Sequence, residues 1–229
     1  MALFPFAPDV WRYTHDMALG PGVHLPCAST VMRLSDDSLA IVSPGPVHDD
    51  DVQAISDLGS VSWLLAPNLF HHLHLRPAQE AFGAAIAGPV GLVEKRKGLT
   101  IDHVYGKEEL DPSLDILAIG GMPRVQEHVF FHRPSKTLVT TDLVFNMQDH
   151  TGPLSGLVFR MMGTHQGLSS SRLSGLLMSD KQAFADRLGP LVDLDITGLI
   201  MAHGEPVASE GGAALRKALR TRFSAMLPA

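Results

Sequence analysis

The chain holds one cysteine, Cys27, among 229 residues. A lone thiol closes no internal disulfide, so the sequence is not a disulfide scaffold. Cys27 has no catalytic motif around it and reads as a small packed residue rather than a nucleophile. Charge is also scarce. Only 18% of residues are Asp, Glu, Lys or Arg, the formal net charge is -6, and no basic block occurs. That balance argues against a nucleic-acid partner and against anionic membranes. No apolar stretch approaches the ~20 residues that a membrane span requires. The opening segment Met1 to Pro8 is apolar but lacks a basic region and carries two prolines, Pro5 and Pro8, so it does not read as a signal peptide. A reducing cytoplasm is the expected location. A phosphate-cradling loop is missing too: Gly20-Pro21-Gly22 and the glycines after Glu210 lack the strand–loop–helix context of such a loop.

What the chain does have is apolar residues, 45% of the total, and 12 histidines against 18 lysines and arginines. The apolar content supports a full core, and no linker divides it, so one domain over 1–229 is expected. Met32 to Val42 reads as strand, broken by Ser43-Pro44-Gly45-Pro46. Asp49-Asp50-Asp51 opens a short helix that Gly59 closes. Val61 to Ala66 is a buried strand, stopped by Pro67-Asn68, and a second helix begins at Arg76-Pro77. Ile116 to Ile119, Val129 to Phe131 and Leu138 to Thr141 are further strands, the last two paired through the turn Arg133 to Lys136. The segment 147–179 is a loop-and-helix excursion, in which Phe159 and the methionines 147, 161, 162 and 178 read as core packing or a lid. A helix over Lys181 to Leu191, a last strand Leu199 to Ala202 and a terminal helix Ala213 to Met226 follow. Interleaved strands and helices with hairpins imply an α+β chain of mixed sheets flanked by helices.

Three of the apolar strands run into metal-competent residues. Trp63-Leu64-Leu65 is followed by His71 and His72, Leu138-Val139 by Asp142, and Leu199-Ile200-Met201 by His203. Strand ends gather along one sheet edge, so these side chains can converge. Imidazoles with one carboxylate suit zinc, iron or manganese.

The order of these pieces resembles the metallo-β-lactamase superfamily from about residue 30 to residue 210. Leu39-Ala40-Ile41-Val42-Ser43-Pro44-Gly45 is similar to the family's opening strand and turn, with Ser43 where an aspartate is usual. Leu138-Val139-Thr140-Thr141-Asp142 is similar to the strand that delivers the metal-bridging aspartate, and Ala202-His203-Gly204 to the closing His-Gly segment. The nearest branch implied is an uncharacterised one with a Pro-Asn…His-His loop. The resemblance implies a four-layer αββα sandwich of two mixed sheets flanked by helices. The central motif, Thr-His-x-His-x-Asp-His in the family, departs here. Pro67 and Leu69 fall on its first two histidines, His71 on its aspartate and His72 on its last histidine, and the third-motif histidine falls on Pro123. One family metal site is therefore lost and the other kept. The implied ligand set for one divalent metal is His71, His72, Asp142 and His203, zinc first, with iron or manganese as alternatives. A slipped register instead pairs His72 with His74 and makes His71 a bystander. His128 and His132 share a strand face, and one of them can reach the cleft. Asn146, His150 and His165 lie near the excursion without an assigned role.

The expected activity is metal-dependent hydrolysis of an ester, thioester, lactone or phosphoester, with Asp142 as ligand and orienter of the attacking water. Four protein ligands would instead make the site structural, and the alternative is a non-catalytic member of the fold that binds a small ligand or a partner. The expected partner is a small molecule, with no nucleic acid and no membrane, and base rates for soluble oligomers allow a homodimer.

Overall fold

The computed structural model describes residues 3–148, 153–165 and 167–227. Strand β1 (Phe4–Ala7) leads into a long hairpin, β2 (Val10–Gly20) and β3 (Val23–Arg33), whose tip is Pro21-Gly22. Gly22 lies at φ 71, a left-handed conformation that glycine adopts without a Cβ clash. The Gly-Pro-Gly run is thus a hairpin turn. Next come β4 (Leu39–Val42), α1 (Asp49–Ser56), β5 (Val61–Leu65), α2 (Leu75–Phe82), β6 (Ala85–Gly88), α3 (Val90–Lys95) and the short β7 (His103–Val104). These seven strands form one sheet in chain order, antiparallel from β1 to β4 and parallel from β4 to β7.

The second sheet holds β8 (Leu114–Ala118), β9 (His128–His132) and β10 (Thr137–Thr140) as an antiparallel meander. After β10 come β11 (Phe145–Met147), α4 (Pro153–Met162), β12 (Gly167–Ser169), α5 (Arg172–Leu177) and α6 (Lys181–Val192). Strand β13 (Gly198–Met201) then returns to pair in parallel with β10, and α7 (Gly211–Phe223) closes the chain with a turn of 3-10 helix over Ser224–Met226. The excursion between β10 and α6 is the expected mixture of loop and helix, with the small sheet β11–β12 inside it.

Side-chain alternation fixes the layers. On β3, β4 and β5, Val31, Leu39, Ile41 and Leu64 point to α1 and α2, where they meet Ile55, Leu75 and Ala78. The intervening residues Met32, Ala40, Val42 and Leu65 point the other way and meet Phe130, Val139 and Ile200 of the second sheet. The outer face of that sheet, with Val129, Leu138 and Leu199, packs on Phe184, Leu188, Leu215 and Leu219 of α6 and α7. Helix, sheet, sheet, helix is the four-layer αββα sandwich that the sequence implied. Among the described residues no helix is long and apolar enough to cross a membrane.

Candidate metal centre

Parallel pairs β4–β5 and β10–β13 end on the same side of the sandwich, and the chain turns polar as it leaves each of them. β5 runs into Ala66-Pro67-Asn68, β10 into Thr141-Asp142 and β13 into Ala202-His203. Asn68 is fully buried, and its Oδ1 accepts from the backbone N–H of Phe70 (2.7 Å) and of His71 (2.9 Å). This Asx turn folds the loop back so that His71 meets Asp142.

His71, Asp142 and His203 each offer one ligand atom, all within 4.8 Å of one another. The Nε2 atoms of His71 and His203 are 3.2 Å apart, and each lies 3.5 Å from one Asp142 oxygen. Both imidazoles are held from behind. His71 Nδ1 is 2.7 Å from Ser43 Oγ, and His203 Nδ1 is 3.1 Å from the Pro26 carbonyl. When each Nδ1 carries the proton and donates it to these oxygens, both Nε2 lone pairs face Asp142, the tautomer a metal requires. The His203 ring also stacks on Phe145, with centroids 5.3 Å apart and planes 9° from parallel. Gly204 follows at φ 98, where a side chain would strike the Asn146 backbone, so the turn after His203 needs glycine. Asn146 closes that turn, its amide donating to the Glu205 carbonyl at 2.7 Å.

Of the four expected ligands, the structure brings three together. Among the described residues His72 stands outside the trio. It is buried next to the cleft with Nδ1 unpartnered, and burial, then Lys95 and Arg96, disfavour its protonation. His74 does not replace His71, because the register that puts His71 on Asp142 is the one observed. Neither strand histidine reaches the cleft. His132 is tied to Ser135 Oγ (2.7 Å) and the Arg33 carbonyl (3.0 Å), and His128 packs against Tyr105 and bonds the Gln126 carbonyl. His165 has an unpartnered buried Nδ1, and His150 lies outside the described residues.

Two residues of the centre were given no role by the sequence reading. Glu127, just before β9, is 1% exposed. Its Oε1 accepts from Thr141 Oγ1 (2.6 Å), Asp142 N (3.0 Å) and Thr141 N (3.3 Å). The second is the Asn68 amide, which donates to Glu127 Oε2 at 2.6 Å and to Asp142 Oδ2 at 2.7 Å and so bridges the two carboxylates. Cys27 Sγ sits 3.7 Å from His203 Nδ1 and donates to the Leu25 carbonyl, so the packed thiol also helps seat the imidazole.

The electrostatics follow from this wiring. Burial alone would raise the Asp142 carboxyl, but the charge of His71 and hydrogen bonds from His203 and His71 outweigh it and hold it well below the usual carboxylate range. Burial would lower His203, yet hydrogen bonds to Asp142 and Cys27 and the Asp142 charge raise it. Burial and then Asp142 push Glu127 up. Without a metal, the centre is thus an ion pair between Asp142 and His203.

Solved structures with this arrangement of layers were found by superposition. The metallo-β-lactamase of Hirschia baltica aligns with a TM-score of 0.65 at 13% identity, covering 100% of this chain and 98% of its own. The chain has the metallo-β-lactamase fold. A second metallo-β-lactamase, from Pontibacter korlensis, aligns at 0.64 and 12% identity over 96% of this chain and 99% of its own. A diflavin flavoprotein fragment from Nostoc sp. PCC 7120 aligns at 0.64 and 14% over 98% and 96%. Identities this low establish fold alone. No family model matches the sequence, and no curated protein matches it.

A second pair of histidines flanks the metallo-β-lactamase-fold centre. His15 from β2 and His74 lie with ring centroids 6.0 Å apart, and both line the cleft that reaches Asp142. Burial, then His74, depresses the His15 pKa to about 4. The unfolded chain therefore takes up this proton below pH 6.5 and the fold does not until about pH 4. Stability is expected to fall across that window, by on the order of 2 kcal/mol after screening by solvent. Thermal unfolding of wild type and His15→Phe at pH 7 and pH 4.5 checks it: the variant is expected to lose less of its midpoint on acidification.

Proposed function

We propose that the protein is a metal-dependent hydrolase with one divalent metal, zinc first, held by His71, Asp142 and His203. The observation that carries the reading is the pair of imidazoles whose Nδ1 atoms are engaged by Ser43 and Pro26 while their Nε2 atoms converge on one carboxylate. Two imidazoles and a carboxylate form a three-ligand set, which suits a catalytic zinc because the fourth position stays open. With His72 outside the set, the site would not be saturated as a structural zinc site is.

A metal held there would supply Lewis-acid polarisation of a substrate carbonyl or phosphoryl oxygen and a water of lowered pKa. The chain's own part is positioning and proton handling. Ser43 and Pro26 fix the imidazole orientations. Asp142, with one oxygen anchored by Asn68, keeps its other oxygen to orient water. To serve as a ligand, His203 would give up the proton it shares with Asp142, so metal uptake would be coupled to proton release.

A second reading has an observation in its favour. The 3.2 Å contact between His71 and His203 and their pairing with Asp142 let the three groups satisfy each other, as a non-catalytic scaffold binding a small ligand or partner would. Elemental analysis separates the two. About one metal equivalent per chain is expected in the wild type and in His72→Ala, and almost none in His203→Ala. Metal-free wild type after reconstitution would leave the scaffold reading. Loss of metal in His72→Ala would return His72 to the ligand set.

A further inference from the structure

Beside the metal centre lies an apolar cavity of about 110 Å³. Its wall is mostly apolar and includes Leu25, Met122, Val125, Phe145, Leu173 and Leu177. Its polar end is formed by Asp142 and His203. The other polar groups along it are already committed. Glu127 accepts four hydrogen bonds, and Ser171 Oγ caps α5 through Leu173 N. Ser174, 8% exposed, is the remaining polar side chain on the wall.

The cavity opens into the wider cleft that holds His71. Leu19, Phe70 and Leu173 line both spaces, and these three mouth residues are 52%, 47% and 45% exposed. Among the described residues neither space is lined by lysine or arginine. A charged group along the apolar wall, away from Asp142 and His203, would lose its hydration without gaining a counter-ion. An uncharged hydrocarbon chain would lose nothing and gain burial.

We infer that this cavity receives the unbranched aliphatic acyl chain of an uncharged carboxylic ester, whose carbonyl lies at Asp142 and His203. The inference rests on the hydrolase reading of the same centre and narrows its substrate class to one that carries a hydrocarbon chain. In the reaction, water adds to the carbonyl carbon and the bond from that carbon to the alcohol oxygen breaks. The alcohol leaves with one proton of the water, and the acid keeps the water oxygen and the other proton. No oxidant or reductant is needed.

Two measurements on the full chain separate the inference from the reading beneath it. The first is calorimetric titration of metal-free protein with 1-octanol, an uncharged chain that needs no metal and no chemistry. Saturable binding is expected in the wild type, and weaker binding in Ser174→Phe, which fills the cavity, and in Leu173→Asp, which places a charge at its half-exposed mouth. The second is hydrolysis of p-nitrophenyl esters from acetate to decanoate, and of bis(p-nitrophenyl) phosphate, by zinc-loaded protein. kcat/KM is expected to rise about three- to four-fold per added methylene until the cavity is full, the gain from burying one methylene. That slope is expected to flatten in Ser174→Phe. Octanol binding without hydrolysis of any ester keeps the chain site and overturns the hydrolase reading. Ester hydrolysis with no chain-length slope and no octanol binding overturns the chain site and keeps the reading. Preference for the phosphodiester overturns the inference as well.

Discussion

Asp142→Asn is expected to abolish metal binding at micromolar zinc, with an affinity loss of at least about 10³. The amide keeps the shape of the side chain and the bond between position 142 and Glu127, because that bond runs through the backbone N–H. What it removes is the charge. Asp142 is the only anionic donor in the His71–Asp142–His203 trio, so the variant leaves two neutral imidazoles to hold a dication. The substitution also leaves the His203 proton without the carboxylate that stabilises it, and burial then favours neutral imidazole. Breaking one side of a buried pair costs about 3–5 kcal/mol when the remaining charge cannot escape. Here it can, by losing a proton, so the folded state is expected to lose only about 1–2 kcal/mol at pH 7 while metal binding disappears. Zinc titration by competition with a chromophoric chelator, beside urea unfolding of the same samples, checks both halves. Wild-type metal affinity in the variant would mean that Asp142 is not a ligand.

The mixed sheets flanked by helices were legible because most of the buried strands are short, apolar and stopped by glycine, proline or a polar residue. The four-layer order followed from the resemblance of the whole layout to a known family. His71, Asp142 and His203 were legible for the same reason: each lies just past such a stop. The place of His72 outside the trio was not. His71 and His72 are adjacent, and which of them faces Asp142 depends on how the loop turns after Pro67. Asn68 decides that turn by accepting from two successive backbone N–H groups, and it sends His72 toward Lys95 and Arg96 instead. Glu127 was invisible for another reason. It precedes β9 without any motif, and its importance arises only when three stretches far apart in sequence meet: residue 68, residue 127 and residues 141–142. The long hairpin β2–β3 was also under-read. Its outer half alternates weakly because Met17, Leu19 and Leu25 line the cleft rather than the core between the sheets.

Asn68→Ala is expected to be the most destabilising single substitution at the centre, by about 3–5 kcal/mol. Asn68 is fully buried and serves both sides of the loop. Its Oδ1 satisfies the N–H groups of Phe70 and His71, and its Nδ2 sits between the Glu127 and Asp142 carboxylates. Truncation orphans two backbone donors, leaves a void and exposes the two carboxylates to each other without the amide that separates them. Asn68→Asp has nearly the same shape and should fail in a different way. It places a third carboxylate between two others, so its own folded pKa rises above its unfolded value of about 3.9. A raised acid contributes stability below the unfolded pKa that is lost as pH rises. The defect of Asn68→Asp is therefore expected to shrink from pH 7 to pH 5 more than that of Asn68→Ala, which adds no charge of its own. Urea midpoints of the two variants and wild type at both pH values test this. Parallel shifts for both would mean that Asn68 acts through the loop turn alone. A pH-dependent gap between them would show that the amide also keeps apart two charges.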